Sequence, residues 1–144
     1  MSRNNNKNNN EVLIVEDDAI LRELYDRLFQ VHGYSPIIAT NGKEALELFH
    51  EGREFSTAVI DTQLGRGEFG PDLYDRIRGV GYTGLAFGMS SDPYAERAWK
   101  RKEGVTGFYD KAGMFNRSGN NLPKSIAEGL ELLQQGVQYK NIRF

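Results

Sequence analysis

The feature that most restricts how this chain can fold is a fivefold alternation of short apolar runs with longer segments of helical periodicity. Val12-Leu13-Ile14-Val15 is continuous, rich in β-branched residues and bounded by acids, as a strand buried on both faces requires. Ile20, Leu24, Leu28 and Val31 follow at helical spacing and are closed by Gly33. Tyr34 to Ala39 repeats the strand, and Asn41 is placed to cap a helix carrying Ala45, Leu46, Leu48 and Phe49. Phe55 to Ile60 gives a third strand, followed by a glycine-rich loop and a helix from about Pro71, where proline suits a first helical turn. Leu85 to Met89, a helix from about Asp92 to Glu103, Val105 to Tyr109, and a closing helix with Leu122, Ile126, Leu130 and Leu133 complete the series. Parallel neighbours need crossover helices, so the alternation predicts an α/β chain: a doubly wound, five-stranded parallel sheet with helices on both faces.

The 144 residues suit one domain. Residues 1–10, MSRNNNKNNN, hold six asparagines and no apolar side chain after Met1, so they read as a disordered tail, with the domain over 11–136 and a short C-terminal tail over 137–144. The absence of cysteine excludes disulfide scaffolds, thiolate zinc sites and cysteine nucleophiles, and suits a reducing cytoplasm. With 18 basic against 20 acidic residues there is no general basic field, so nucleic acid is not an expected partner. No run approaches the ~18 apolar residues of a membrane span, and the amino terminus lacks the apolar core of a secretory leader.

Open sheets of this kind bind ligands beyond the carboxyl ends of their strands. There the sequence places Glu16-Asp17-Asp18, Asp61, Ser90-Ser91 and, after the fifth strand, Lys111. Carboxylates brought to one edge repel unless a cation sits among them, and a hard, oxygen-seeking ion such as Mg²⁺ fits best. An acidic triplet alone also reads as solubilising surface or as a helix cap. Its convergence with Lys111 favours a site.

In order along the chain, VLIVEDD, VID, a hydroxyl residue closing the fourth strand, and GFYDK resemble the receiver domain of bacterial two-component response regulators, the CheY-like family with its flavodoxin-like fold. The intervals agree: 44 residues from Asp17 to Asp61, 29 on to Ser90 and 21 more to Lys111. The resemblance covers about residues 11–135. It implies that Asp61 is a phosphoacceptor for a histidine kinase or phosphotransfer protein. It further implies that Glu16, Asp17 and Asp61, with the Gln63 main-chain carbonyl, hold Mg²⁺. Ser90 is then the switch hydroxyl, Lys111 the counter-ion of the phosphoryl group, and Phe108 the aromatic that changes rotamer. The chemistry is coherent, because a carboxylate can form an acyl phosphate while a cation and an ammonium offset charge on the transferring oxygens. A signalling domain is implied rather than a classical enzyme. With no effector after the closing helix, it would be a stand-alone regulator whose output is a protein contact, or a homodimer, through helix four, strand five and helix five.

Several residues depart from that pattern. Ala112 stands where receivers commonly have proline, so a trans bond is expected after Lys111. Ser91 replaces a small residue, and Gln63 and Asp92 occupy positions that tune phosphoryl lifetime in the family. The loop LGRGEFGP has Gly65 in place of proline and spells a GxGxxG, yet it follows the third strand, where a dinucleotide fingerprint is not expected. Helix four is thinly apolar: Trp99 and the cluster Lys100-Arg101-Lys102 read either as a solvated face or as part of a partner-binding surface. His32 and His50 lack ligand-like spacing and read as structural. A dehalogenase-type phosphatase would need an aspartate at position 63. A degenerate receiver acting only as a docking module is the alternative.

Overall fold

The computed structural model describes residues 9–144. Five strands, β1 (Glu11–Val15), β2 (Ser35–Ala39), β3 (Thr57–Asp61), β4 (Leu85–Ser90) and β5 (Gly107–Asp110), form one sheet in the order β2-β1-β3-β4-β5. Every pairing is parallel, with Val15 opposite Ile60, Asp61 opposite Met89 and Gly88 opposite Phe108. The helices are α1 (Ala19–Val31), α2 (Gly42–His50), α3 (Gly70–Gly79), α4 (Glu96–Lys100) and α5 (Leu122–Gln134). The doubly wound sheet expected from the alternation is the observed fold.

β1, β3 and β4 are buried along almost their whole length because helices cover both faces, which is why they read as unbroken apolar runs. Alternate strand residues serve two cores. Leu13, Val15, Ala58, Ile60 and Ala86 pack with residues of α2, α3 and α4, among them Ala45, Leu73, Ile77 and Trp99. Val12, Ile14, Val59, Leu85, Phe87 and Met89 pack with α1 and α5 through Tyr25, Phe29, Leu122 and Ile126. Asp18, Asn41 and Asn121 cap α1, α2 and α5 by accepting from amides of their first turns.

Two segments differ from the sequence reading. The fourth helix, expected over about 92–103, is a 3-10 turn at Pro93–Ala95 running into only five α-helical residues. Trp99 is its one buried residue, and so narrow an apolar face gives little packing to extend a helix. Trp99 is fully buried, so it is not part of a docking surface. Lys100 instead points outward and pairs with Glu96. The last eight residues pack on the domain: Ile142 is buried, Phe144 N donates to Thr106 O at the open edge of β5, and Arg143 donates to Lys100 O. The Tyr139 ring lies 3.8 Å from the Arg78 guanidinium, which also donates to the Tyr82, Gly84 and Gly104 carbonyls. Of the amino-terminal tail, residues 1–8 lie outside the described residues; Asn9 Oδ1 accepts from Glu11 N, and Asn10 O from Ser35 N.

Candidate functional site

The carboxyl ends of β1, β3 and β4 open on one edge of the sheet, and the register Val15–Ile60 and Asp61–Met89 sets Glu16, Asp61 and Ser90 side by side. Glu16, Asp17 and Asp61 each offer a carboxylate oxygen within 4.8 Å of the others. Glu16 and Asp61 are buried while Asp17 is exposed, so the cluster has a closed floor and an open mouth. Arg22 fixes the acidic pair from behind, its guanidinium donating to the Asp17 carbonyl at 2.7 Å and the Glu16 carbonyl at 3.2 Å. Asp18 faces away as the cap of α1, accepting from Ile20 N and Leu21 N.

Lys111 follows β5 and reaches across the edge. Its Nζ lies 2.8 Å from Glu16 Oε1 and 3.1 Å from Asp61 Oδ2. Asp61 Oδ1 accepts from Thr62 N at 2.8 Å. Burial pushes the Glu16 carboxyl up to about 7; the Asp61 charge adds to this and Lys111 opposes it. Asp61 is raised by burial too, only partly offset by Lys111. For Lys111 burial works downward, but the two carboxylates outweigh it and hold the ammonium above the ordinary lysine range. One cation thus serves two desolvated acids.

The donor set fits a further hard cation. Glu16 Oε1 is buried with the ammonium beside it yet accepts no aligned hydrogen bond, leaving lone-pair capacity directed into the cluster. Gly65, in a left-handed turn at φ +75°, passes so close that a Cβ there would lie 3.0 Å from Asp17 Oδ2. All-oxygen donors with one open side suit Mg²⁺, which retains several waters.

The remaining singled-out residues line the same edge. Ser90 is buried and its Oγ accepts from Asp92 N at 3.0 Å, while its carbonyl accepts from Lys111 N at 2.9 Å. Gln63 is exposed just after Thr62 and bridges Phe69 across the loop. That loop is a tight left-handed turn through Gly65, Arg66 and Gly67, tied by Glu68, whose carboxylate accepts from Gly42 N at the start of α2. Phe108 is half-buried against the core that includes Trp99. The Lys111–Ala112 bond is trans. His32 stacks on Phe115.

Thr62 escaped the sequence reading. Its amide serves Asp61, its hydroxyl donates to Met89 O at 2.8 Å and accepts from Trp99 Nε1 at 2.9 Å. The available signal was Gly88, a glycine inside a fully buried strand, which marks close approach by another group. Here that group is the Trp99 indole.

Comparison with known proteins agrees with the fold. A response regulator protein from Thermotoga maritima, solved in complex with Mg²⁺ and BeF, is 22% identical, with 83% of this chain and 97% of that one covered at a TM-score of 0.67. A CheY-like receiver domain protein from Methanospirillum hungatei is 19% identical over 90% and 99%, at 0.69. The N-terminal domain of a response regulator/sensory box/GGDEF protein from Carboxydothermus hydrogenoformans is 21% identical over 88% and 98%, also at 0.69. No curated protein matches the chain. The family model of the response regulator receiver domain, however, matches residues 12–113, most of the sheet and the whole strand-end cluster, and the chain therefore belongs to the response regulator receiver family.

Proposed function

We propose that this receiver takes a phosphoryl group on Asp61 from the phosphohistidine of a histidine kinase or phosphotransfer protein, in a Mg²⁺-dependent reaction. The observation that carries the reading is the pairing of Asp61 with Lys111 beside two further acids at one open sheet edge. An Asp61 carboxylate oxygen attacks phosphorus, the P–N bond to the donor imidazole breaks, and the imidazole nitrogen keeps the electron pair and takes a proton. Lys111 lies where it can offset charge on the phosphoryl oxygens, and Thr62 N fixes the carboxylate through Oδ1. Glu16, Asp17, Asp61 and the Gln63 carbonyl would hold Mg²⁺, which neutralises phosphoryl charge when bound.

A phosphoryl group at Asp61 brings new acceptor oxygens within the range of Ser90 and Lys111 and biases the loops that carry them. Phe108, half-buried on β5, would be the aromatic that follows Ser90. The output contact, to a downstream protein or a second copy, then falls on α4, β5 and α5. A cytoplasmic location suits this exchange with a kinase, and no helix among the described residues is long and apolar enough to cross a membrane.

Incubation with acetyl phosphate and Mg²⁺, followed by intact mass, tests the reading. Wild type gains one phosphoryl group and Asp61→Asn gains none, because an amide is a poor nucleophile. Unlabelled wild type would instead support the docking module.

A further inference from the structure

The indole of Trp99 joins α4 to the residue that follows Asp61. It is completely buried and is the only buried residue of α4, so a single side chain fastens that short helix to the sheet. Its seat is cut for it: a Cβ at Gly88 would overlap the indole, and one at Gly70 would overlap the Asp61 carbonyl and stand 3.0 Å from the indole edge. Gly88 lies between Ile60 and Phe108 in the sheet, so the ring spans the rows that lead to Asp61 and to the β5 surface.

The polar end of the ring continues the connection. Trp99 Nε1 donates to Thr62 Oγ1, Thr62 Oγ1 donates to Met89 O, and Thr62 N is shared between Asp61 Oδ1 at 2.8 Å and Met89 O at 3.0 Å. Thr62 O accepts from Gly70 N at 2.7 Å, so the same residue also holds the start of α3. Every group in this chain is buried, where hydrogen bonds are stiff and leaving one unmade is costly.

We propose that Trp99 is a positioning residue through which α4 and Asp61 sense each other's state. The inference rests on the reading of Asp61 as phosphoacceptor. Chemistry that draws Asp61 Oδ1 away from Thr62 N leaves that N–H to Met89 O alone, the carbonyl that also holds the Thr62 hydroxyl, and so shifts the hydroxyl that fixes the indole and with it the anchorage of α4. A five-residue helix with one buried side chain is the kind of low-stability element that responds to such a shift. Arg97 and Lys100 on that helix and Arg101 just after it, all exposed, then move as a basic face.

The test uses the full chain with and without acetyl phosphate and Mg²⁺, reading hydrogen exchange of the amides over 96–102 and intact mass on the same samples. Thr62→Val removes the hydroxyl at nearly constant shape, Thr62→Ser restores it, and Trp99→Phe removes the indole N–H. Thr62 meets Asp61 through its main-chain N–H, which every variant keeps, and intact mass sets the phosphoryl occupancy at which the four proteins are compared. The exchange change in α4 on labelling is expected in wild type and Thr62→Ser, and about fivefold smaller or less in Thr62→Val and Trp99→Phe. The Thr62 pair decides the matter even if Trp99→Phe loosens α4 before labelling. Labelled Thr62→Val responding as fully as wild type, or Thr62→Ser failing as Thr62→Val does, overturns the coupling alone. An unlabelled wild type overturns the phosphoacceptor reading, and the inference with it.

Discussion

At the scale of single residues, the chemistry at the sheet edge turns on one ammonium between two buried acids. Lys111 has 12% of its side chain exposed and Glu16 1%, so little water screens the pair. Removing one partner of such a pair leaves an uncompensated charge, whereas removing both can cost little, because the desolvation penalty goes with them. Lys111→Ala is therefore expected to lower stability by about 3 kcal/mol in the absence of divalent cation. Glu16→Gln added to it is expected to recover part of that loss. Urea unfolding of the two single variants and the double variant checks this as a thermodynamic cycle. Strict additivity would mean that Glu16 and Lys111 are each held by something other than the other.

At the scale of elements, α4 shows what fixes a weak helix. Its seat on β4 depends on an absent side chain, so Gly88→Ala should force the indole or the strand aside and cost roughly 1–3 kcal/mol. Gly79, at the end of α3, has open space where a Cβ would go and should gain about 0.5–1 kcal/mol on replacement by alanine. Urea midpoints of the two variants should move in opposite directions; a neutral Gly88→Ala would show that the Trp99 seat is loose. The same contrast explains what could be read from sequence. β1, β3 and β4 were legible because burial on both faces makes every position apolar. The meeting of Glu16, Asp17, Asp61 and Lys111 was legible because parallel strands deliver their carboxyl ends to one edge. The seat of Trp99 was not, since Gly70, Gly88 and Thr62 come from three separate elements and only the folded register brings them together. The packing of Ile142 was hidden for a related reason: Val137, Tyr139, Ile142 and Phe144 keep neither a helical period nor a steady alternation.

At the scale of the whole molecule, both cores hold phenols whose ionisation folding opposes. Burial pushes Tyr82 upward, with its hydroxyl donating to Leu85 O at 2.6 Å, and raises Tyr74 beside it. Across the sheet, burial raises Tyr34, and burial together with the negative charges of Glu16, Asp61 and Asp18 raises Tyr25. All four start from an ordinary value of 10.0. The folded pKa lies above the unfolded one, so between the two values the folded chain binds more protons, and stability must fall as pH rises. The contribution is intact below pH 10 and is lost above it, at about 1.4 kcal/mol per pH unit for each tyrosine. The four contributions add, so the fall steepens with each phenol that folding keeps protonated. The protein is therefore expected to unfold cooperatively above pH 10, with the tyrosinate absorbance of these four phenols, counted beyond that of exposed Tyr94, rising together with loss of helical circular dichroism. Tyr82→Phe should start from lower stability, having lost the bond to Leu85 O, but decline more gently by one proton's worth of slope. Absorbance for all seven tyrosinates developing with the helical signal unchanged would show that these phenols reach water in the native state, and that the two cores are less closed than their packing indicates.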